Sequence, residues 1–286
     1  MISDYRCFYC FVRAFEKLLV KENISNEAKA SFALEMISLY QNNQNDFSAP
    51  LFSRELHKIL RSYTHNHDPY KEEKKKYNDQ AISMLPELEY IMRQSGDPFS
   101  TALRLAIAGN IIDFAANDNF NLQATIDKAL NYEFAIDHSK QLKKAIENAK
   151  TVLYLGDNAG EIVFDKLFIE TINHPDLIFV VRGAPVINDA TMEDAEYIGM
   201  KDIANIISNG YDAPSTIPDK SSKQFQEYFA NADLIISKGQ GNLEGLISLN
   251  DGRIFFLLMV KCDVIAEFLK VKKESFVIFN SSHLKN

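Results

Sequence analysis

Acidic and amide side chains follow two short apolar runs of this sequence, close to the point where each run ends. Asp157 and Asn158 come after Val152–Leu155, and Asp189 lies a few residues beyond Leu177–Val181. Carboxylate and amide oxygens are ligands that suit Mg²⁺ or Mn²⁺ better than Zn²⁺. Neighbouring carboxylates raise each other's pKa, and a bound dication removes that penalty. These residue types therefore predict a site for one hard divalent cation.

A lysine and two glycines follow a third apolar run and have the composition of an anion-binding turn. Lys238, Gly239 and Gly241 come just after Leu234–Ile236. The lysine supplies a positive charge, and the glycines leave backbone N–H groups accessible to an anion. A dication, a lysine and backbone donors together stabilise a transferring phosphoryl group. The pattern therefore favours phosphate chemistry, in which the attacking group is either a metal-activated water or a carboxylate such as Asp157.

The loop after the first apolar run differs from the common nucleotide-binding turns. Gly156–Glu161 lacks the Gly-x-Gly-x-x-Gly pattern of dinucleotide sites, and no Gly-Lys-Ser/Thr of a P-loop follows it. The loop carries two acids, Asp157 and Glu161. An anion fits beside these acids only when a cation lies between them, so the loop is expected to hold a metal ion.

Two hydrophobic patterns divide the chain and predict the elements that position these loops. Apolar residues recur every three or four positions in the first half, which is typical of helices. In the second half, short continuous apolar runs alternate with helical stretches such as 161–172 and 221–229. Such runs are typical of strands buried on both faces, and the alternation indicates a mainly parallel sheet. We therefore predict an all-helical domain at 1–146 joined to an α/β domain at 147–286, with ligands beyond the carboxyl ends of the strands.

Capping residues and prolines define helix boundaries in the first half. Asp68-Pro69 and Asp97-Pro98 each place a capping carboxylate before a proline at a helix start. Pro86 is expected to kink or restart the helix that begins near Asp68. The other predicted helices cover about 4–21, 27–42, 50–63, 98–114, 123–131 and 139–149.

The composition indicates which kinds of partner and which cellular location are expected for this protein. The 286 residues carry 31 Lys and Arg against 39 Asp and Glu, a formal net charge of −8, so a sequence-independent nucleic-acid binder is not expected. No run approaches the roughly 20 apolar residues of a membrane span, and the first residues lack the pattern of a secretory signal. Three cysteines do not predict a disulfide framework. We expect a cytoplasmic protein that binds a small phosphorylated molecule and has no nucleic-acid or membrane partner.

Three motifs follow apolar runs of the second half: Gly156–Glu161, Arg182–Asp189 and Lys238–Glu244. They resemble the signature motifs of the damage-control phosphatase family, first catalogued as domain of unknown function 89. The resemblance extends along nearly the whole chain, through Asp68-Pro69-Tyr70 with Lys74 and Asn78, Ala106–Phe114 and Lys261-Cys262. The pair Cys7 and Cys10 resembles the cysteine pair of the stand-alone microbial branch of the family. The resemblance implies a helical domain joined to a three-layer α/β/α, Rossmann-like domain. It also implies a metal-dependent phosphatase of small phosphometabolites, such as sugar phosphates or phosphopantetheine-like compounds.

The resemblance and the placement of the motifs assign roles to individual residues. Asp157, Asn158 and Asp189 are expected to hold the divalent metal, which is Mn, Mg, Co or Ni. The expected catalytic residues are Asp157, Lys238 and Glu161. The expected substrate contacts are Lys238, Gly239, Asn242, Arg182, Asn110 and Asp113, of which the last two would line a cleft between the domains. The chain departs from the family at Arg6, where an aspartate is common, and at Ala115, where a glycine is common.

Two other functions agree with the same loops. An S-adenosylmethionine-dependent carboxyl methyltransferase would hold the amino acid part of its cofactor at Gly156-Asp157, although the usual Gly-x-Gly-x-Gly turn is missing. A metal- or nucleotide-binding module without turnover would be protected by its ligand against heat but would form no product. Cys7 and Cys10, one helical turn apart, are expected to be a structural pair. The sequence does not identify the phosphometabolite, the physiological metal or the oligomeric state.

Overall fold

The N-terminal part of the chain is helical in the computed structural model, which describes residues 4–109, 126 and 130–282. Its helices are α1 Tyr5–Lys21, α2 Asn26–Asn43, α3 Ala49–Thr64, α4 Lys71–Gln94 and α5 Pro98–Ala108. The side chains of Asp4, Ser25 and Asp97 accept hydrogen bonds from backbone N–H groups in the first turns of α1, α2 and α5. The predicted helix starts near residues 4, 27, 50 and 98 are therefore confirmed.

Pro86 was predicted to kink or restart the helix; helix α4 continues through it, so the helix does not restart there. A proline removes one helical hydrogen bond and crowds the preceding turn. Met84 and Leu88, on either side of the proline, are buried in the core. We infer that the packing of these side chains outweighs the lost hydrogen bond and keeps the helix in one piece.

Strands and helices alternate in the remainder of the chain, as predicted. The strands are β1 Phe134–Asp137, β2 Val152–Leu155, β3 Leu177–Val181, β4 Asn205–Ser208, β5 Leu234–Lys238, β6 Ile254–Met259 and β7 Phe276–Asn280. The helices are α6 Ser139–Asn148, α7 Glu161–Ile172, α8 Met192–Tyr197, α9 Lys223–Asn231, α10 Gly239–Leu246 and α11 Asp263–Leu269. Every residue of β2, β3 and β5 is buried, which explains why these strands appear in the sequence as continuous apolar runs.

The seven strands form one sheet in the order β1-β7-β6-β5-β2-β3-β4. Neighbouring strands are parallel except for β6 and β7, so the sheet is mainly parallel. Strand β1 lies inside the range 1–146, which the sequence analysis predicted to be all-helical, and pairs with β7 at the edge of the sheet. The hydrophobic pattern did not reveal this strand because only alternate residues of its four are partly buried. The domain boundary near residue 146 stays a prediction.

Two apolar cores lie on opposite faces of the sheet and confirm the α/β/α arrangement. One core joins the sheet to α4, α5, α6 and α7, and the other joins it to α9, α10 and α11. A third core joins the first three helices of the chain through residues such as Phe15, Phe32 and Leu56. Among the described residues, no helix is long and apolar enough to cross a membrane.

Histidine 57 lies inside this third core and makes the stability of the protein depend on pH. Its ring packs edge-on against Phe15, and its Nδ1–H donates to the backbone carbonyl of Ser53 at 2.8 Å. Burial lowers the pKa of His57 from 6.5 to about 4. The unfolded chain therefore takes up a proton at a pH where the folded chain still excludes it, and stability falls as the pH drops from about 6.5 towards 4.

The His57→Phe variant removes this proton linkage and keeps a ring of similar size. We expect the loss of unfolding free energy between about pH 7.5 and about pH 5 to be about 2 kcal/mol smaller in the variant than in wild type. Urea unfolding at the two pH values measures this difference, with the exposed His67→Gln as the control that leaves the loss unchanged. An equal loss in wild type and His57→Phe would contradict the prediction.

Candidate active site

The loops after β2 and β3 bring three oxygen-bearing side chains to one wall of a cavity. Strands β2 and β3 are adjacent and parallel, so their carboxyl ends meet at the same edge of the sheet. Asn158 and Asp189 form an isolated antiparallel bridge between the two loops. Asp157, Asn158 and Asp189 all line a cavity of about 270 Å³. The structure therefore brings together the three residues that the sequence analysis expected to hold a metal.

The cavity lies between the sheet edge and the N-terminal helices. Its other wall is apolar apart from one hydroxyl and consists of Phe11 from α1 and Ala49, Pro50 and Ser53 from α3. The remaining lining residues come from the loops and from α10: Ile187, Asn188, Pro214, Gln240, Gly241, Glu244 and Lys261. A ligand in this cavity would contact charged groups on one side and the helical region on the other.

The loop after β3, which carries Asp189, contains a residue with a strained backbone. Ile187 has a φ of 47°, a left-handed conformation that a β-branched residue rarely adopts. Two backbone hydrogen bonds surround it, from Asp189 N–H to the Val186 carbonyl and from Ala159 N–H to the Asn188 carbonyl. Backbone strain of this kind is maintained only where neighbouring contacts enforce it, and it concentrates at functional sites.

Arg182 lies behind the cavity wall and holds both aspartates. Its Nε donates to Asp189 Oδ2 at 2.5 Å, and its Nη2 donates to Asp157 Oδ1 at 3.4 Å. All three side chains are buried. Burial raises the pKa of Asp189, Arg182 lowers it, and Asp157 raises it further. The guanidinium of Arg182 thus pairs with two carboxylates. Negative charge at the cavity wall therefore exceeds positive charge.

Asn158 lies between two carboxylates and donates to both. Its Nδ2 is 3.0 Å from Asp157 Oδ2 and 2.7 Å from Glu161 Oε1. The other carboxylate oxygen of Glu161 is buried and has no hydrogen-bond partner among the described residues. Burial and the neighbouring Asp157 both raise the pKa of Glu161. Asp157 shares the guanidinium of Arg182 with Asp189, and Glu161 makes no ion pair among the described residues. Negative charge is therefore in excess, and a bound cation would balance it.

The side chains of Asp157, Asn158 and Asp189 have the chemistry that suits a hard divalent ion, but they are not arranged as a coordination sphere. No group of three or more His, Cys, Asp or Glu side chains in the described ranges is positioned to coordinate a metal. Asp157 and Asp189 offer carboxylate oxygens, and Asn158 offers an amide oxygen. Oxygen ligands suit Mg²⁺ or Mn²⁺. Among the described residues that line the cavity, Glu161 is absent, and its side chain connects to the cavity wall through the hydrogen bond from Asn158.

Gly239 is required at the start of α10 because Asp157 lies against its backbone. A Cβ atom on Gly239 would be 1.9 Å from Asp157 Oδ2, and the residue has a φ of 79°. Only glycine combines this conformation with such a close approach. The first turn of α10 then lies beside Asp157, and its Gln240 and Gly241 line the cavity. The N–H groups of a first helical turn have no helical partner and can donate to an anion.

The structure places Lys238 inside the protein, away from the cavity that Asp157 lines. Its Nζ donates to Asp165 Oδ1 at 2.5 Å and to the backbone carbonyl of Ala106 at 2.8 Å. Tyr154 donates its hydroxyl to the same oxygen of Asp165 at 2.8 Å. Lys238 and Asp165 are almost completely buried. Lys238 therefore connects β5 to α7 and to the last turn of α5.

Asn242 also has a structural position, below the loops. Its Nδ2 donates to the backbone carbonyls of Gly156 and Lys238, and the residue is fully buried and does not line the cavity.

Asn110 and Asp113, two of the expected substrate contacts, lie outside the described residues. Cys7, Cys10 and Cys262 are free thiols that line a second cavity, and Lys261 lines both cavities.

The early motif of the helical region, Asp68-Pro69-Tyr70 with Lys74 and Asn78, connects to the loop after β2. Asn78 accepts a hydrogen bond from the Gly160 N–H at 2.7 Å and donates to Asp194 at 3.0 Å. Lys74 bridges Asp194 and Asp68 at 3.1 and 2.9 Å. These groups are buried or nearly so. The network therefore fixes the loop that carries Asp157 and Asn158 against α4.

Three lining residues, Lys261, Glu244 and Ser53, had no assigned role in the sequence analysis. Lys261 is exposed, follows β6 and is the lysine of the late motif, so the order of strand ends could have identified it. Glu244 closes the third motif, and burial raises its pKa to about 7. Ser53 belongs to a helical apolar face, and its sequence context carried no signal of a site.

The sequence model of the damage-control phosphatase ARMT1-like domain matches residues 3–277 of this chain. The loops with Asp157 and Asp189, the glycine turn of α10 and the Lys74–Asn78 network all fall inside this match. The chain therefore belongs to the damage-control phosphatase family, and the family predicted from the motifs is confirmed.

Relatives from three archaea support this assignment. A damage-control phosphatase of Pyrococcus horikoshii, PH1575, is 33% identical over 97% of both chains. A damage-control phosphatase of Archaeoglobus fulgidus is 34% identical over 71% of this chain and 73% of its own, and the uncharacterized protein MJ0202 of Methanocaldococcus jannaschii is 37% identical over 76% and 74%. The crystal structure of the P. horikoshii protein, a DUF89 family protein, superposes with a TM-score of 0.88 at 32% identity over 99% of this chain and 100% of that chain.

Proposed function

We propose that this protein is a metal-dependent phosphatase that hydrolyses phosphate monoesters of small phosphometabolites. Family membership supports the phosphatase activity. The observation that carries the metal dependence is the convergence of Asp157, Asn158 and Asp189 on one cavity wall that has an excess of buried negative charge. The ion would be Mn, Mg, Co or Ni.

In this proposal, Asp157, Asn158 and Asp189 hold the ion. An ion held by these residues would supply positive charge to the phosphoryl oxygens and would lower the pKa of a water molecule. Arg182 would orient the two aspartates from behind, and Glu161 would orient the amide of Asn158.

The other groups of the cavity bind the phosphoryl group and the leaving group. Lys261 supplies a positive charge at the cavity, and the first turn of α10 offers backbone N–H groups through Gln240 and Gly241. Glu244 is half-buried, and its raised pKa keeps part of it protonated near neutral pH, so it is able to give a proton to the departing oxygen. The wall of α1 and α3 bounds the cavity on the opposite side. Lys238 acts from inside the protein as a positioning residue.

The Asp157→Asn variant tests this proposal. It keeps the shape of the side chain but removes a negative charge from the ion site. We expect turnover of an aryl phosphate in the presence of Mn²⁺, Mg²⁺ or Co²⁺ to fall by about 100-fold or more, because the phosphoryl group loses its positive partner. We also expect Mn²⁺ to raise the midpoint of heat unfolding of wild type and to leave that of the variant unchanged.

The matched control is Asp219→Asn, an exposed aspartate on the surface of the same part of the chain. It should retain wild-type turnover and the wild-type response to Mn²⁺. Equal turnover in wild type and Asp157→Asn would remove this carboxylate from the mechanism. Turnover that is unaffected by chelators would show that the reaction does not require a metal.

A further inference from the structure

Ser53 is a buried hydroxyl on the helical wall of the cavity, and the proposed mechanism leaves it without a role. It lies in the second turn of α3 and is 2% exposed. It lines the same cavity as Asp157 and Asp189, on the opposite wall. Its backbone carbonyl accepts from His57 Nδ1, so the backbone at this position is held in place.

The hydroxyl of Ser53 differs from other hydroxyls on the helices of this protein. Ser62, Thr64 and Thr171 each donate to a backbone carbonyl three or four residues earlier. The Ser53 Oγ is buried and has no hydrogen-bond partner among the described residues. A buried hydroxyl without a partner is unfavourable, since it has lost its hydrogen bonds to water. A ligand in the cavity would supply the missing partner.

The neighbours of Ser53 indicate which part of a ligand it meets. Phe11, Ala49 and Pro50 surround the cavity on this side, and none of them carries charge. The charged groups of the proposed phosphoryl site lie on the opposite wall: Lys261 would contact the phosphoryl group, and Asp157 would hold the ion. The wall with Ser53 therefore faces the leaving group. An apolar surface with one hydroxyl is complementary to a neutral carbon skeleton that carries a hydroxyl group.

We propose that the Ser53 Oγ hydrogen-bonds a hydroxyl group of the leaving group, and that this contact makes the protein prefer hydroxylated phosphate esters to plain alkyl phosphates. The inference rests on the proposed phosphatase function and adds a residue that determines substrate preference. Ser53 takes no part in breaking the ester bond, so the chemistry at phosphorus is the same with and without it.

Two esters with the same three-carbon skeleton, glycerol phosphate and propyl phosphate, test this proposal with the Ser53→Ala variant. We expect kcat/KM for glycerol phosphate to fall about tenfold, the effect of losing one hydrogen bond to a neutral group. We expect kcat/KM for propyl phosphate and for an aryl phosphate to stay within about twofold of wild type, since neither offers a hydroxyl. In the presence of Mn²⁺, glycerol phosphate should raise the midpoint of heat unfolding less in Ser53→Ala than in wild type.

Ser48→Ala is the matched control. Ser48 precedes α3, is 4% exposed and has an equally unpartnered Oγ, but it does not line the cavity with Asp157. It should retain the wild-type preference between the two esters. An equal fall for both esters in Ser53→Ala, or no fall for either, would overturn the inference while turnover of the aryl phosphate upholds the proposed function. Failure of wild type to hydrolyse any ester would overturn both.

Discussion

The Lys238→Met variant is expected to lose about 3–5 kcal/mol of unfolding free energy, because it leaves a buried carboxylate without its cation. Asp165 is fully buried, and Lys238 Nζ lies 2.5 Å from its Oδ1. Burial already raises the pKa of Asp165 against the opposing effect of Lys238. Urea unfolding near neutral pH measures the loss.

Removing the charge of Asp165 as well should return much of this stability. In the double variant Lys238→Met, Asp165→Asn, no unpaired charge remains, and the amide oxygen can still accept from Tyr154. Lys75→Met is the control for the loss of a lysine from an exposed ion pair, and its stability should stay close to wild type.

The same variants distinguish an internal role of Lys238 from direct phosphate binding. If the ion pair with Asp165 is the role of Lys238, the folded double variant should bind inorganic phosphate nearly as well as wild type. Wild-type stability of Lys238→Met together with a large loss of phosphate affinity would show instead that Lys238 contacts the phosphate. The internal position of its Nζ, bonded to Ala106 and Asp165, leads us to expect the first result.

The Gly239→Ala variant is expected to lose nearly all phosphatase activity and to be less stable than wild type. The added Cβ would be 1.9 Å from Asp157 Oδ2, so the carboxylate or the turn must move. The left-handed conformation of Gly239 adds about 1–2 kcal/mol for any other residue. Displacing Asp157 should reduce turnover of an aryl phosphate about as much as the Asp157→Asn substitution does.

A second glycine provides the control for this variant. A Cβ on Gly252 would meet no atom within 4 Å, so Gly252→Ala should have wild-type turnover and nearly wild-type stability. Steady-state kinetics and heat unfolding of the two variants measure the difference between them. Wild-type activity in Gly239→Ala would show that the position of Asp157 is not critical for turnover.

The sequence by itself determined the strands β2, β3 and β5 and the loops after them, which carry the candidate site. Val152–Leu155, Leu177–Val181 and Leu234–Ile236 are continuous apolar runs because the strands are covered by helices on both faces. In parallel strands, the carboxyl ends meet at one edge, so the sequence positions of Asp157 and Asp189 were sufficient to predict that they converge.

The hydrophobic pattern of the sequence was less informative for a short strand and for the direction of a side chain at the end of a strand. Strand β1 has four residues with alternating partial burial, a pattern too short to distinguish from a loop. Lys238 is the last residue of β5, and a strand directs successive side chains to opposite faces. The sequence placed Lys238 at the correct strand end but could not determine whether its Nζ faces the cavity or Asp165.

Only the tertiary structure decided which side chains line the cavity and which support it from behind. Arg182 and Glu161 are in the predicted motifs, yet they contact the cavity wall through Asp157, Asp189 and Asn158. Ser53 was absent from the predicted site, because its position depends on how α3 packs against loops more than a hundred residues away in the chain. Local sequence sets the type and period of each element, whereas the direction of a side chain at an interface between elements depends on their packing.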